Sequence, residues 1–240
     1  MLQRRLVLLP GLDGSGRLFG PFSDSVSDFL EPTPLAYPPD RRWGYDDLLP
    51  FVIARLPPGS SIVLGESFSG PLAVMLAAAA PGRVAAVVLV SSFTHLPVPR
   101  AFATLARWAP ASRSPAGVIE FVLTSSGTPP AMRDELLRQV RSLSPRLVER
   151  RLRAVFETDT ATMLAGLACP VLAIHGRGDR LVPLWWAKRD LGRHRTVAFR
   201  VVEGPHMLLQ TSPGAVAAVL LDWSGSGART ASPRDGRGTG

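Results

Sequence analysis

The chain has 240 residues, is 46% hydrophobic and carries a formal net charge of +8. It is long enough to bury the core of one α/β domain with an insertion, and short for two independent domains. A single cysteine, Cys169, excludes an intrachain disulfide and offers no cysteine metal site. The basic balance comes mostly from arginine and accompanies no zinc-finger spacing, helix-turn-helix or basic-aromatic ribbon, so nucleic acid is not expected as a partner.

The first nine residues hold two arginines and a brief apolar run, cut off by Pro10, Gly11 and Asp13. The run is too short for a secretory core, and no stretch is long enough for a membrane span. A cytoplasmic protein is therefore expected. Arg5 to Leu9 reads as a buried strand leading into a Gly-rich loop, Gly11 to Gly16. A helix is expected over Leu18 to Leu30, and a short strand over Leu35 to Tyr37, closed by Pro38 and Pro39. Tyr45 to Leu56 has helical spacing, with Leu48, Leu49, Val52, Ile53 and Leu56 on one face. Ser61 to Leu64 predicts a strand, Phe68 to Ala80 a helix, and Val84 to Val90 another continuously apolar strand.

From about Phe93 to Leu167 no strand is expected. Helical patches cover Ala116 to Leu123, Met132 to Leu143, Leu147 to Phe156 and Thr160 to Leu167. Alternation resumes with a strand at Val171 to His175, a helix at Trp185 to Leu191, a strand at Val197 to Val202 and a helix at Pro213 to Trp223. Cys169, just before the Val171 strand, is expected to pack. Apolar strands alternating with helices imply a parallel sheet covered on both faces. The expected organisation is an α/β core over 1–92 and 168–223, a helical cap over 93–167, and a disordered tail over 224–240, whose Gly, Ser, Arg and Thr leave almost nothing to bury.

The informative stretch is Ser61 to Pro71, Ser-Ile-Val-Leu-Gly-Glu-Ser-Phe-Ser-Gly-Pro. A strand, a sharp turn carrying a serine and a helix opened by small residues would hold the Ser67 hydroxyl up into a cleft. Gly65 and Ser69 must be small so that strand and helix pass closely, and the Phe68 N–H would begin the helix where an oxyanion could form. Glycine comes one place late, at Gly70, and Ser69 is the rival nucleophile. That register would set Pro71 in a flanking small position, whereas Pro71 suits the first helical turn.

A serine nucleophile needs an imidazole base and an acid to hold it. Two later loops follow strand ends: His175-Gly-Arg-Gly-Asp179 and Glu203-Gly-Pro-His206. Among four histidines, His206 is the best-placed base. His175 reads as a satisfied, partly buried strand-end group, His95 as a pocket-lining one, and His194 as solvated. Asp179 is the expected acid. Its rival, Asp13, belongs to the loop that should supply oxyanion donors, where a carboxylate would oppose the developing charge, so a capping role suits it better.

With these pieces in order, the chain resembles the α/β-hydrolases of the capped carboxylesterase and thioesterase kind. The resemblance rests on Pro10–Gly16, Gly65–Gly70, Gly176–Pro183 and Gly204–His206. It implies a mostly parallel, six-stranded sheet flanked by helices, with a helical cap insertion. Ser67 would be the nucleophile, Asp179 the acid and His206 the base, with Leu12 and Phe68 amides as the oxyanion hole. Ester or thioester hydrolysis without a metal or organic cofactor follows. His95 is an expected pocket-lining side chain, and Phe121, Phe156 and Met207, with Trp108 and Met163, are candidates for either pocket lining or core. Many relatives have His-Gly where this chain has Pro10-Gly11, and their first two strands are absent here.

Seven arginines between Arg133 and Arg153 face only Asp134, Glu135 and Glu149. They predict a solvated helix face or a docking face for an acidic acyl carrier protein, as in the pimeloyl-carrier methyl ester esterases the chain resembles. Two readings of other kinds compete. A dinucleotide-binding module would need Gly-x-Gly-x-x-Gly after the first strand, and the chain has Gly-x-x-Gly-x-Gly. A non-catalytic binding protein on the same fold would need no intact set of three.

Overall fold

A computed structural model describes residues 4–97, 116–125 and 128–225. Six strands form one sheet in the order β2-β1-β3-β4-β5-β6: β1 is Arg4–Leu9, β2 Leu30–Pro34, β3 Ser61–Glu66, β4 Val84–Val90, β5 Val171–Gly176 and β6 Val197–Val202. All five pairings are parallel. Successive side chains of a strand point to opposite faces, so each inner strand feeds two cores. Leu6, Leu8, Ile62, Leu64, Val88 and Ile174 face one side, against helices α1 (Gly20–Val26) and α10 (Pro213–Gly225). Val7, Leu9, Val63, Leu89 and Ala173 face the other, against α2 (Tyr45–Ile53), α3 (Ser69–Ala79) and α8 (Leu184–Asp190).

Between β4 and β5 lie α4 (Ala116–Leu123), α5 (Pro130–Ser142), α6 (Pro145–Glu157) and α7 (Ala161–Ala165). This helical segment meets the loops at the carboxyl ends of the strands. Arg151 of α6 reaches the loop after β1, and the Leu123 carbonyl at the end of α4 accepts from Met207 N–H after β6 at 3.0 Å. A short α9 (Leu208–Thr211) precedes α10. No helix among the described residues is long and apolar enough to cross a membrane.

Four expectations are corrected. The second strand is Leu30–Pro34, not Leu35–Tyr37, and the first helix stops at Val26 to release it. Strand β2 carries Pro32 and Pro34, which it tolerates because it is an edge strand. Leu35 N–H donates to the Leu8 carbonyl at 2.9 Å, so by alternation both prolines fall on the open side, where no donor is needed. Helix α2 ends at Ile53 rather than Leu56, because the residue before Pro57 is steered away from helical backbone. Helix α10 continues to Gly225, past the expected start of the tail at Ser224. The remainder of that tail, and Trp108, lie outside the described residues.

Leu64 is fully buried between sheet and helices at the centre of β3. Leu64→Ala should cost about 2–5 kcal/mol, read as a lower urea midpoint at unchanged slope.

Candidate functional site

The site begins with a steric constraint between β3 and α3. A Cβ on Gly65 would overlap the Ser69 carbonyl, lying 2.8 Å from its carbon and 3.0 Å from Ala73 Cβ. Strand and helix therefore cross in near backbone contact. The chain between them must turn within two residues, and Ser67 takes a left-handed φ of 49°. That conformation costs a non-glycine residue on the order of 1–3 kcal/mol and persists only where its surroundings enforce it. Here Ser67 N–H donates to the Val90 carbonyl at 2.9 Å, and the Ser67 carbonyl accepts from Ser92 Oγ at 2.7 Å. Ser92 occupies the space any side chain at position 70 would need, which explains the late glycine of the motif.

The two other loops bring their residues to this hydroxyl. Asp179 Oδ1 accepts from Leu181 N–H at 2.9 Å and Val182 N–H at 2.8 Å. That leaves Oδ2 to accept from His206 Nδ1–H at 2.8 Å. With that tautomer fixed, His206 Nε2 accepts the Ser67 hydroxyl proton at 2.9 Å. The imidazole and carboxylate are both buried. Ser69, the rival, is turned away. Its hydroxyl donates to the Pro10 carbonyl and accepts from Tyr37 OH at 2.6 Å. Asp13 is also spent locally, accepting from Ser15 N–H at 2.9 Å and from the Ser15 hydroxyl.

Phe68 opens α3, and its ring stacks on Tyr45 at 4.8 Å while its carbonyl accepts from Tyr45 OH at 2.6 Å. Leu12 sits in the turn after β1 that Gly14 N–H closes onto the Gly11 carbonyl at 3.0 Å. Neither the Leu12 nor the Phe68 N–H donates to another group among the described residues. Burial holds the Tyr37 and Tyr45 phenols far above their ordinary pKa, so both act as neutral donors.

The expected lining residues scatter. His95 Nδ1 lies 3.1 Å from Asp190 Oδ1, and its ring meets Trp186 edge-on at 5.2 Å. It lines a cavity of about 550 Å³ with Trp185, Trp186, Arg189 and Arg193, which none of Ser67, Asp179 and His206 borders. Its carboxylate partner Asp190 on α8 draws it there. Phe121 is 63% exposed, with the Arg180 guanidinium 4.1 Å over its ring. Phe156 is half-buried against the core cluster that contains Phe68, with Leu12 packed on the same cluster. Met207 follows His206 and is half-buried. His175 is satisfied as expected but more deeply buried, donating from Nε2 to the Val182 carbonyl at 2.7 Å, and burial lowers its pKa so that it stays neutral. His194 is less solvated than expected, since its Nε2 is buried.

Several residues went unnoticed in the sequence. Tyr37, Tyr45 and Ser92 brace the turn, and nothing in their local pattern marks them. Glu66 lies inside the motif, and its local pattern gives it no mark either. By strand alternation it shares a face with Ile62 and Leu64, and it is only 4% exposed. Burial, partly offset by Gln210, raises its pKa from 4.5 to about 7.

A profile of the Alpha/beta hydrolase family matches residues 4–219, and the chain belongs to that family. Among solved structures it is similar to a thermophilic esterase from Thermogutta terrifontis, with TM-score 0.77 and 17% identity over 93% of this chain and 90% of that one. A bromoperoxidase from Bacillus anthracis superposes with TM-score 0.78 and 16% identity over 93% and 92%. Such identities show the shared fold alone. A curated relative, the protein named carbamate hydrolase RutD from Pantoea ananatis (strain LMG 20103), is 34% identical over 79 residues. That match spans 30% of this chain and 27% of the relative.

Glu66 makes stability pH-dependent. Its folded pKa is raised, so its contribution is whole below the unfolded value of 4.5 and is lost as pH rises through about 7. Glu66→Gln should therefore be more stable than the wild type at about pH 8, by on the order of 3 kcal/mol, with the difference closing by about pH 4. Urea unfolding at both pH values checks this.

Proposed function

We propose that this hydrolase cleaves carboxylic esters or thioesters through an acyl-enzyme. The observation that carries the reading is the unbroken hydrogen-bond chain from Ser67 Oγ through His206 to Asp179. Ser67 attacks the substrate carbonyl as its proton passes to His206 Nε2, and Asp179 steadies the imidazolium on its other nitrogen. The tetrahedral oxyanion accepts from the Leu12 and Phe68 amides, whose lack of partners among the described residues supports that role. His206 then gives its proton to the departing alcohol or thiol. Water, deprotonated by the same imidazole, releases the acid and restores the serine. The helices between β4 and β5 act as a cap over the cleft, with Phe156 and Met207 as its wall. The esterase among the structural neighbours agrees with this reading, and the bromoperoxidase marks a rival chemistry on the same frame. We further propose that the protein acts in the cytoplasm.

Labelling with a fluorophosphonate should be rapid, and Ser67→Ala should abolish both labelling and nitrophenyl ester turnover. Retained turnover in Ser67→Ala would reject the scheme. An unlabelled wild type that still binds acyl compounds would instead indicate a non-catalytic binding protein. Nitrophenyl esters from acetate to dodecanoate, run beside acyl thioesters, would identify the preferred acyl group.

A second reading has a specific observation behind it: a cleft of about 360 Å³ lined by Arg42, Arg146, Glu149, Arg150 and Arg153. An acidic acyl carrier protein is a partner of matching charge, which would make the substrate a carrier-bound methyl ester. Arg151, counted among the docking arginines from sequence, is not one of them, because it is turned inward and is 1% exposed. Arg42→Glu with Arg146→Glu should slow turnover of a carrier-bound ester tenfold or more while sparing small esters, with the loss deepening at low salt. Equal turnover of both substrates would remove this reading.

A further inference from the structure

Arg151 is among the largest side chains that are fully buried, and it enters from α6 rather than from the sheet. Its Nη1–H donates to the Leu12 carbonyl at 2.6 Å. The guanidinium also presses on Gly14. A Cβ there would lie 2.5 Å from Nη1 and 2.9 Å from Cζ, and Gly14 has a φ of +69° that favours glycine in any case. Its Cζ stands 5.6 Å from the Tyr37 ring centre and 5.7 Å from that of Phe68. One cationic fork thus touches the loop bearing the Leu12 amide and the aromatic ring of the residue bearing the Phe68 amide.

The setting is unusual for a charge. No carboxylate lies within ion-pair distance of Arg151 among the described residues, and its Nε has no acceptor. Asp13, the acid whose field reaches it, is already held by Ser15. Burying a cation without a close counter-ion is expensive, and an apolar side chain of similar size would satisfy packing alone. What an apolar side chain would not supply is a grip on a backbone carbonyl.

We infer that Arg151 is a positioning residue for the oxyanion loop, holding the Gly11–Gly14 turn so that the Leu12 amide is aimed at the reacting carbonyl. This rests on the acyl-enzyme reading above. The Gly14 N–H fixes the peptide plane before Leu12 through the Gly11 carbonyl, and Arg151 fixes the plane after it through the Leu12 carbonyl. With both neighbouring planes held, the Leu12 N–H has little freedom left. The other end of the turn is tied by Tyr37 N–H to the Gly14 carbonyl at 2.8 Å. Charge works in the same direction, since a buried cation beside the loop favours a developing oxyanion over the neutral ground state.

The test compares Arg151→Ala and Arg151→Lys with the wild type in saturation kinetics on one nitrophenyl ester. Fluorophosphonate labelling rate, thermal unfolding and rescue by added methylguanidinium are measured in parallel. Removing an oxyanion donor costs about 10²–10³ in rate. Arg151→Ala should lower kcat by about 10²-fold with KM moved less than about threefold, as expected when stabilisation is lost mainly in the transition state. Methylguanidinium should restore part of kcat, an effect that a purely structural role would not produce. Arg151→Lys keeps the charge without the fork and should fall between; it carries the test if Arg151→Ala does not fold. Folded variants with wild-type kcat, a loss confined to KM, or no rescue would overturn the inference while leaving the serine hydrolase intact. A wild type that is not labelled at all would remove the hydrolase reading first.

Discussion

The structure depends on one contact: the absence of a side chain on Gly65 where β3 passes the Ser69 carbonyl at the start of α3. Because strand and helix meet there without clearance, the intervening residues cannot spread into an ordinary loop. Ser67 is driven to positive φ, and its own N–H and carbonyl are then tied to Val90 and Ser92 of the neighbouring strand and its loop. The strain is local and modest, and the flanking core, in which Leu64, Leu72, Ala73 and Val90 are fully buried, outweighs it. A hydroxyl held in this way needs no rearrangement to meet the imidazole. The histidine comes from a loop leaving a strand that lies three places away in the same sheet, so the geometry of that pairing is set by strand spacing.

Much of this was legible in the chain itself. The inner strands announce themselves as continuous apolar runs, as at Val84–Val90, and the edge strand Val197–Val202 also falls where its residues predict. The same holds for Ala116–Leu123 in the helical segment. The Ser67, Asp179 and His206 loops could be picked out because each follows a strand end and carries the right chemistry. What the sequence hid were relations between distant parts. An edge strand containing Pro32 and Pro34 looks like a breaker until its neighbour is known to lie on one side only. A tyrosine at position 37 gives no sign that it will donate to Ser69. Arg151 is one of seven arginines in a basic stretch, and helical spacing alone does not tell which of them turns inward. The pairing of His95 with Asp190 could not be read either, because Asp190 lies far along the chain.

The buried charges form an asymmetric set around Ser67. Asp179 is the acceptor of two backbone amides and of His206, and His175 lies 3.4 Å from the same Oδ2. Were His175 to carry a proton, it would compete with His206 for that oxygen. Burial holds its pKa down, and its Nε2–H is directed to the Val182 carbonyl, so Asp179 remains available to one imidazole. A further buried carboxyl is Glu66. It is next to Ser67 in the chain, and an ionised carboxylate there would oppose an oxyanion, but burial keeps a proton on it up to about pH 7.

Arg151 completes the pattern from outside the sheet. The strands supply rigid placement, while the loop after β1 is shaped by its own turn bond, by the Ser69 hydroxyl on the Pro10 carbonyl and by Tyr37 N–H on the Gly14 carbonyl. A cation delivered from the helical segment adds the missing constraint on its far side. In the proposed mechanism this makes the segment more than a wall for substrate. Any movement of α6 away from the loop would withdraw the guanidinium from Leu12 and Gly14, loosening the Leu12 amide at the moment the cleft opens. Opening and oxyanion stabilisation would then be opposed by construction, and chemistry would be confined to the closed arrangement.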